Sequence, residues 1–257
     1  MTSTSLSGSW IQHAKPSTRA RVRLFCFAYA GGGASYFRTW QGKLPPEIEV
    51  CPVQIPGREN RIGEQPYTEL LPLVQDLSRA LQPYLTTLPF VFFGHSMGGL
   101  ISFELARQLR REKAPTPIHL LVSAHRAPQV PDPDPPIHQL PDLKFMEELR
   151  KLNGTPEEVL KNAELMQVML PILRADFSIC ETYTYTDEKP LNCPISAFGG
   201  LGDEEVSKDD MAAWRKQAAG FFRLRMFEGD HFYLNSTQEV LLGAIMQDLL
   251  PHLNRVR

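Results

Sequence analysis

Gly94-His95-Ser96-Met97-Gly98 places one serine between two glycines, directly after the apolar run 90–93. This is the G-x-S-x-G pattern of a nucleophile on a tight strand-to-helix turn. A side chain at either glycine would collide with the neighbouring strand or helix. The turn lifts the hydroxyl clear of a sheet, at the head of a helix whose first N–H groups point toward it. The five-residue pattern alone occurs by chance. Its setting is stronger, because an apolar strand precedes it and the amphipathic segment 98–112 follows.

A serine nucleophile needs a base, and the base needs an orienting acid. For a nucleophile on this kind of turn the chain order is serine, acid, histidine. The chain has seven histidines. His13 precedes the first strand pattern, His95 adjoins the serine, and His119 lies within a strand pattern. His125 and His138 come before the acid is due, and His252 ends the last helix pattern. His231 remains, in EGDHFYL just after the strand pattern 221–227, where a loop can carry a movable imidazole. The acid is expected after the preceding strand pattern, 194–200, and Asp203 is the candidate. Glu204, Glu205 and Asp230 compete. Asp230 adjoins His231, a poor arrangement for facing it, and Glu204 and Glu205 read as solvated or helix-starting charges.

The tetrahedral intermediate of acyl transfer needs hydrogen-bond donors. Met97 would supply its backbone N–H. The glycine-rich loop in FAYAGGGASYF (27–37) would supply another, from Ala30, with Gly31 as the rival. The same loop could instead cradle a phosphate, but Gly31-Gly32-Gly33 lacks both the G-x-G-x-x-G spacing and a Walker lysine.

The surrounding elements fit this chemistry. Short apolar runs at 22–28, 48–55, 90–93, 118–124, 194–200 and 221–227 alternate with helical patterns at 68–85, 98–112 and 237–253. Most of the runs are apolar on both faces. That predicts an α/β fold with a mostly parallel central sheet covered by helices. Residues 126–141 hold six prolines and break the alternation. Helix patterns at 142–154 and 155–183 follow without a strand between them. In Thr155-Pro156-Glu157-Glu158 the threonine reads as a helix cap. Residues 129–185 are expected to be a helical insertion within a single domain spanning 1–257.

The bulk numbers exclude several classes. The chain has 257 residues, 42% apolar and 22% charged, with a formal net charge of −2. Such a balance favours neither nucleic acid nor an anionic membrane as partner. Cys26, Cys51, Cys180 and Cys193 form no C-x-x-C pair, so no metal site is expected, and Cys26 and Cys51 read as core. Residues 1–9 are polar, without the apolar core of a signal peptide, and no stretch approaches the ~18 apolar residues of a membrane helix. A cytoplasmic location is expected.

The chain resembles the type II thioesterases that accompany polyketide and non-ribosomal peptide synthetases, members of the α/β-hydrolases. The resemblance is carried by LFCFAYAGGGASYFRTW (24–40), VQIPGRENRIGE (53–64), FFGHSMGGLISFELAR (92–107), SAHRAP (123–128), LPILRADFSICETYTY (170–185), CPISAFGG (193–200) and GDHFYL (229–234). It implies hydrolysis of acyl thioesters on the phosphopantetheine arm of acyl or peptidyl carrier domains, clearing stalled or wrongly primed groups, without a cofactor. It implies a triad of Ser96, Asp203 and His231, a mobile lid over 129–185, and places Asp176 of the LRADF segment on that lid, where it is either functional or an ordinary helix residue. Two departures stand out. Ala28 occupies a position where many members have proline, and Asp230 one where a small residue is common, so that the carboxylate should raise the His231 pKa. A medium-chain fatty-acyl thioesterase of a fatty acid synthase would use the same residues. A non-catalytic protein that docks on carrier domains is a third reading, and the complete serine, acid, histidine order argues against it.

Overall fold

The computed structural model describes residues 10–12 and 17–255, so His13 and the polar residues 1–9 lie outside the described residues. Strands β1 (Val22–Phe27), β2 (Ile48–Pro52), β3 (Phe90–His95), β4 (His119–Ser123), β5 (Ile195–Gly200) and β6 (Phe222–Phe227) form one sheet in the order β2-β1-β3-β4-β5-β6. Every neighbouring pair is parallel. The connection from β1 to β2 runs one way along the sheet and the later strands run the other. The carboxyl ends of β1 and β3 therefore lie side by side where the direction reverses, the crevice in which such sheets bind ligands.

The apolar-on-both-faces runs are explained by two buried layers. Phe25 and Phe27 of β1 and Phe90 and Phe92 of β3 face α1 (Leu70–Leu85) and α2 (Met97–Arg111), meeting Leu73, Leu77, Leu81, Leu100 and Phe103. The alternate residues Leu24, Cys26, Val91 and Phe93 face the opposite way, against Trp40 and Leu241, Ile245 and Leu249 of the last helix. Cys26 and Cys51 are core residues, as expected.

Between β4 and β5 lie α3 (Asp142–Lys151), α4 (Glu157–Leu160) and α5 (Ala163–Glu181). They share a small apolar cluster of their own, Phe145, Leu149, Leu160, Met166 and Leu173. The proline-rich stretch before α3 contains neither helix nor strand. After β5 come α6 (Lys208–Ala212), β6 and finally α7 (Gln238–Arg255).

Several boundaries move. β3 runs two residues past 93, because Gly94 pairs with Phe27 and Val122 and His95 pairs with Ser123. β2 stops at Pro52, with Val53 in a lone bridge to Ile11. Thr155 is not the cap of α4: Pro156 takes that position, without a side-chain hydrogen bond. The 155–183 pattern also divides in two. The long helix starts anew at Asn162, whose side chain accepts the Leu165 N–H at 3.1 Å.

Candidate active site

Ser96 sits in the turn between β3 and α2 with φ 52° and ψ −122°, a conformation that non-glycine residues rarely adopt. The turn is held from both sides. The Ser96 N–H donates to the Ser123 carbonyl at 2.8 Å and the Ser96 carbonyl accepts from the Gly99 N–H at 2.7 Å. A Cβ on Gly94 would lie 1.9 Å from the Gly98 carbonyl oxygen, and one on Gly98 would lie 2.1 Å from that of Phe27. Both glycines are required by close backbone approach, and the strained serine persists because its surroundings over-determine it.

His231 follows β6 on a loop and is buried, with only 7% of its surface exposed. Its Nδ1 lies 3.0 Å from Asp203 Oδ2. The Asp203 side chain is wholly buried, and its other oxygen accepts the N–H groups of Glu205 and Val206 at 2.9 and 3.0 Å. The carboxylate is thus fixed by its own loop and aimed at the imidazole. With Nδ1 engaged, Nε2 is the nitrogen left for proton transfer. Ser96 and His231 line one cavity with Tyr29, Ala30, Leu173 and Phe177.

Electrostatics favour the charged imidazole. Burial disfavours it, but the Asp203 hydrogen bond and the charges of Glu205, Asp203 and Asp230 outweigh that and raise the His231 pKa. The expected effect of Asp230 is therefore present but is the least of these. Its carboxylate is exposed and accepts the Phe232 N–H at 2.8 Å. Glu205 departs from its reading as a solvated charge. Its Oε1 is 3.9 Å from His231 Nδ1, it lines the same cavity, and burial raises its own pKa. His95 packs its ring 5.5 Å from that of His231, bonds Ser123 Oγ at 2.8 Å, and is held well below the ordinary histidine pKa, first by burial and then by the His231 charge.

The two candidate donors differ in circumstance. Met97 is the first residue of α2, and Ala30 lines the cavity. The N–H of Gly31, the rival, is engaged elsewhere, donating to Asp176 Oδ2 at 2.7 Å. Asp176 does not line the cavity. It is fully buried and paired with Arg58, a residue whose role the sequence did not single out. Among the described residues no cluster of three or more histidine, cysteine or acidic side chains is placed to hold a metal ion, and no helix is long and apolar enough to cross a membrane.

A family model described as "Thioesterase domain" matches residues 22–249. The chain belongs to the thioesterase domain family. Within it, the chain groups with the type II thioesterases of the α/β-hydrolase fold. The type II thioesterase BorB from the borrelidin biosynthetic cluster superposes with a TM-score of 0.85, at 36% identity over 95% of this chain and 98% of BorB. A relative from Brevibacillus parabrevis named linear gramicidin dehydrogenase LgrE is 49% identical over 95% of this chain and 94% of its own length. The thioesterase described here has no glycine loop with dinucleotide-binding spacing to match that relative's name. The medium-chain S-acyl fatty acid synthase thioesterase of Rattus norvegicus is more distant, 31% identical over 84% of this chain and 82% of its own length.

Proposed function

We propose that this chain is a serine-dependent type II thioesterase that hydrolyses acyl groups from the phosphopantetheine arm of carrier domains of a polyketide or non-ribosomal peptide synthetase, in the cytoplasm. The observation that carries the reading is Ser96, strained at φ 52°, in one cavity with a His231 whose Nδ1 is held by the buried Asp203 carboxylate.

Ser96 Oγ attacks the thioester carbonyl as His231 Nε2 takes its proton. The Met97 and Ala30 N–H groups hold the oxyanion. Collapse breaks the C–S bond, and the pantetheine sulfur leaves with the proton returned by His231. His231 then deprotonates a water that attacks the acyl-serine, releasing the carboxylic acid and restoring Ser96. The thioester brings its own activation, so the reading includes no cofactor.

The cavity, about 50 Å³, has room for a few waters and not for an acyl-pantetheine. Leu149, Leu152, Leu173 and Phe177 of the α3–α5 segment form part of its wall. This supports a lid over 129–185 that moves to admit the arm. The fatty-acid synthase reading shares every catalytic residue and is supported by the rat relative. A sharp preference for medium acyl chains would favour it.

The test compares an acetyl-loaded carrier domain with acetyl-pantetheine, using wild type and Ser96→Ala. Faster turnover of the carrier-bound substrate, lost in the alanine variant, is expected. Equal rates on both substrates would remove the carrier partnership. Undiminished turnover by Ser96→Ala would remove Ser96 as the nucleophile. No turnover by the wild type together with no labelling by a fluorophosphonate would favour a carrier-binding protein.

A further inference from the structure

The turn that presents Ala30 is built from Tyr29 to Gly32. The Gly32 N–H donates to the Tyr29 carbonyl at 2.9 Å, and Gly31 takes φ +76° at the third position, as a type II turn requires. The Tyr29 carbonyl and the Ala30 N–H belong to one peptide plane and point opposite ways. Whatever fixes this turn therefore fixes the direction of the Ala30 donor.

Two buried side chains grip it. Asp176 of α5 accepts the Gly31 N–H on Oδ2 at 2.7 Å. Arg58 donates both terminal nitrogens to Asp176, each at 2.7 Å, and from Nη1 also reaches the Gly32 carbonyl at 3.2 Å. Asp176 is 0% exposed and Arg58 4%. The same helix presses directly on the turn, since a Cβ on Gly31 would lie 2.7 Å from Leu173 Cδ2. Leu173 and Phe177, either side of Asp176 on α5, also line the cavity with Ser96.

We infer that Asp176 and Arg58 are positioning residues that tie the Ala30 oxyanion donor to the lid helix α5, so that the donor is aimed only while α5 is seated. The inference rests on the functional reading above. Neither residue needs to touch substrate. Holding one donor in place is a transition-state effect, because the oxyanion exists only there. Loosening the turn should therefore lower kcat and leave KM nearly unchanged.

Breaking a buried ion pair from one side strands a charge, so single substitutions confound positioning with stability. The test uses two paired variants that remove both charges. In Arg58→Met/Asp176→Leu nothing accepts the Gly31 N–H. In Arg58→Met/Asp176→Asn the asparagine oxygen still can. With an acetyl thioester of N-acetylcysteamine as substrate, the leucine pair should lose about 10- to 100-fold in kcat with KM within about threefold, and the asparagine pair should regain most of that loss. If the leucine pair does not fold, Arg58→Met/Asp176→Ala takes its place. Wild-type kcat in the leucine pair, or equal loss in both pairs, would overturn the inference while Ser96-dependent turnover by the wild type left the functional reading standing. Turnover that survives Ser96→Ala would overturn both.

Discussion

Among the described residues two serine, histidine, aspartate clusters stand out, one at each end of the sheet. At the carboxyl ends of the strands are Ser96, His231 and Asp203. At the opposite ends, Ser196 Oγ lies 3.0 Å from His119 Nε2, and Asp248 bonds Ser196. By residue type and contact the second cluster looks the more complete, yet its surroundings differ in every respect that matters to catalysis. Ser196 lies within β5, at 0% exposure, with no turn to present it. Asp248 faces Arg223 and Arg225 at 2.8 and 2.5 Å and does not orient the imidazole, whose Nδ1 is 3.2 Å from His252. Burial, and then the neighbouring His252, push the His119 pKa down to about 4, whereas the carboxylates around His231 push that pKa up. The contrast supports Ser96 as the nucleophile of the proposed mechanism: it has a presenting turn, a cavity and a histidine held by an aimed acid, and contact with a histidine alone supplies none of these.

The largest expected effect separates the two serines. Ser96→Ala should reduce kcat/KM by at least about 10³-fold, since removing the nucleophile leaves only binding and oxyanion stabilisation. Ser196→Ala should leave turnover unchanged and cost about 1–3 kcal/mol of stability, because it strands buried hydrogen-bond partners at His119 and Asp248. Steady-state kinetics and urea unfolding on both variants check this. Turnover lost with Ser196 and kept without Ser96 would exchange the two clusters' roles.

Asp203→Asn comes next. An asparagine can still accept the Glu205 and Val206 N–H groups, but it turns a donor toward His231 Nδ1 and selects the wrong tautomer. A fall in kcat of about 10²- to 10⁴-fold with native stability is expected. The matching change in the other cluster, Asp248→Asn, should act on stability alone, measured as a drop in the urea midpoint. A loss of kcat in Asp248→Asn at full stability would break the contrast.

His119 gives a smaller effect of a different kind. Its folded pKa of about 4 lies below the ordinary 6.5, so the unfolded chain binds its proton first as pH falls. Stability present above pH 6.5 is then lost between about 6.5 and 4, by up to roughly 3 kcal/mol from this one group. His95 and His125, also held below the ordinary value, add to the loss, so His119→Gln should shrink it without abolishing it. Unfolding free energies at pH 7 and 4.5 decide this. An unchanged difference between the two pH values would show that His119 is not a buried neutral group.

Residues differ in how far their places in the candidate site could be read from sequence, and the reason is separation along the chain. Ser96 was legible because the glycines that permit its turn are its near neighbours, and the strand and helix that flank it are local patterns. His231 and Asp203 were picked by chain order and by their positions just after strand patterns, and the structure brings them together at 3.0 Å. Arg58 was not, because its partner Asp176 lies 118 residues away and neither residue type says which ion will be buried. Asp176 could be singled out by resemblance, but its hold on the Gly31 N–H could not. Glu205 was misread because an acid beside a predicted acid looks solvated until the loop is folded. The end of β3 was set too early because Gly94 and His95 are poor strand formers on propensity, and pairing with β1 and β4 overrides it.

Glu205 provides the finest distinction, because among the described residues only the Ser96 cluster has a second carboxylate facing its histidine. Its Oε1 is 3.9 Å from His231 Nδ1 and 32% of its side chain is exposed, so solvent and salt screen part of its field. In the proposed mechanism His231 must be neutral to act as base, so activity should fall as pH drops through its raised pKa. Removing a negative charge while keeping the shape stabilises the neutral imidazole. Glu205→Gln should move the acid limb of kcat/KM to lower pH by about half a unit, with little change on the plateau. Asp230→Asn, at an exposed carboxylate, should move it in the same direction by less. Added salt should shrink the difference between wild type and Glu205→Gln, because a field through solvent is screened and a hydrogen bond is not. An acid limb that stays in place, or moves to higher pH, would mean that Asp203 alone sets the His231 pKa and that Glu205 is there for the wall of the cavity.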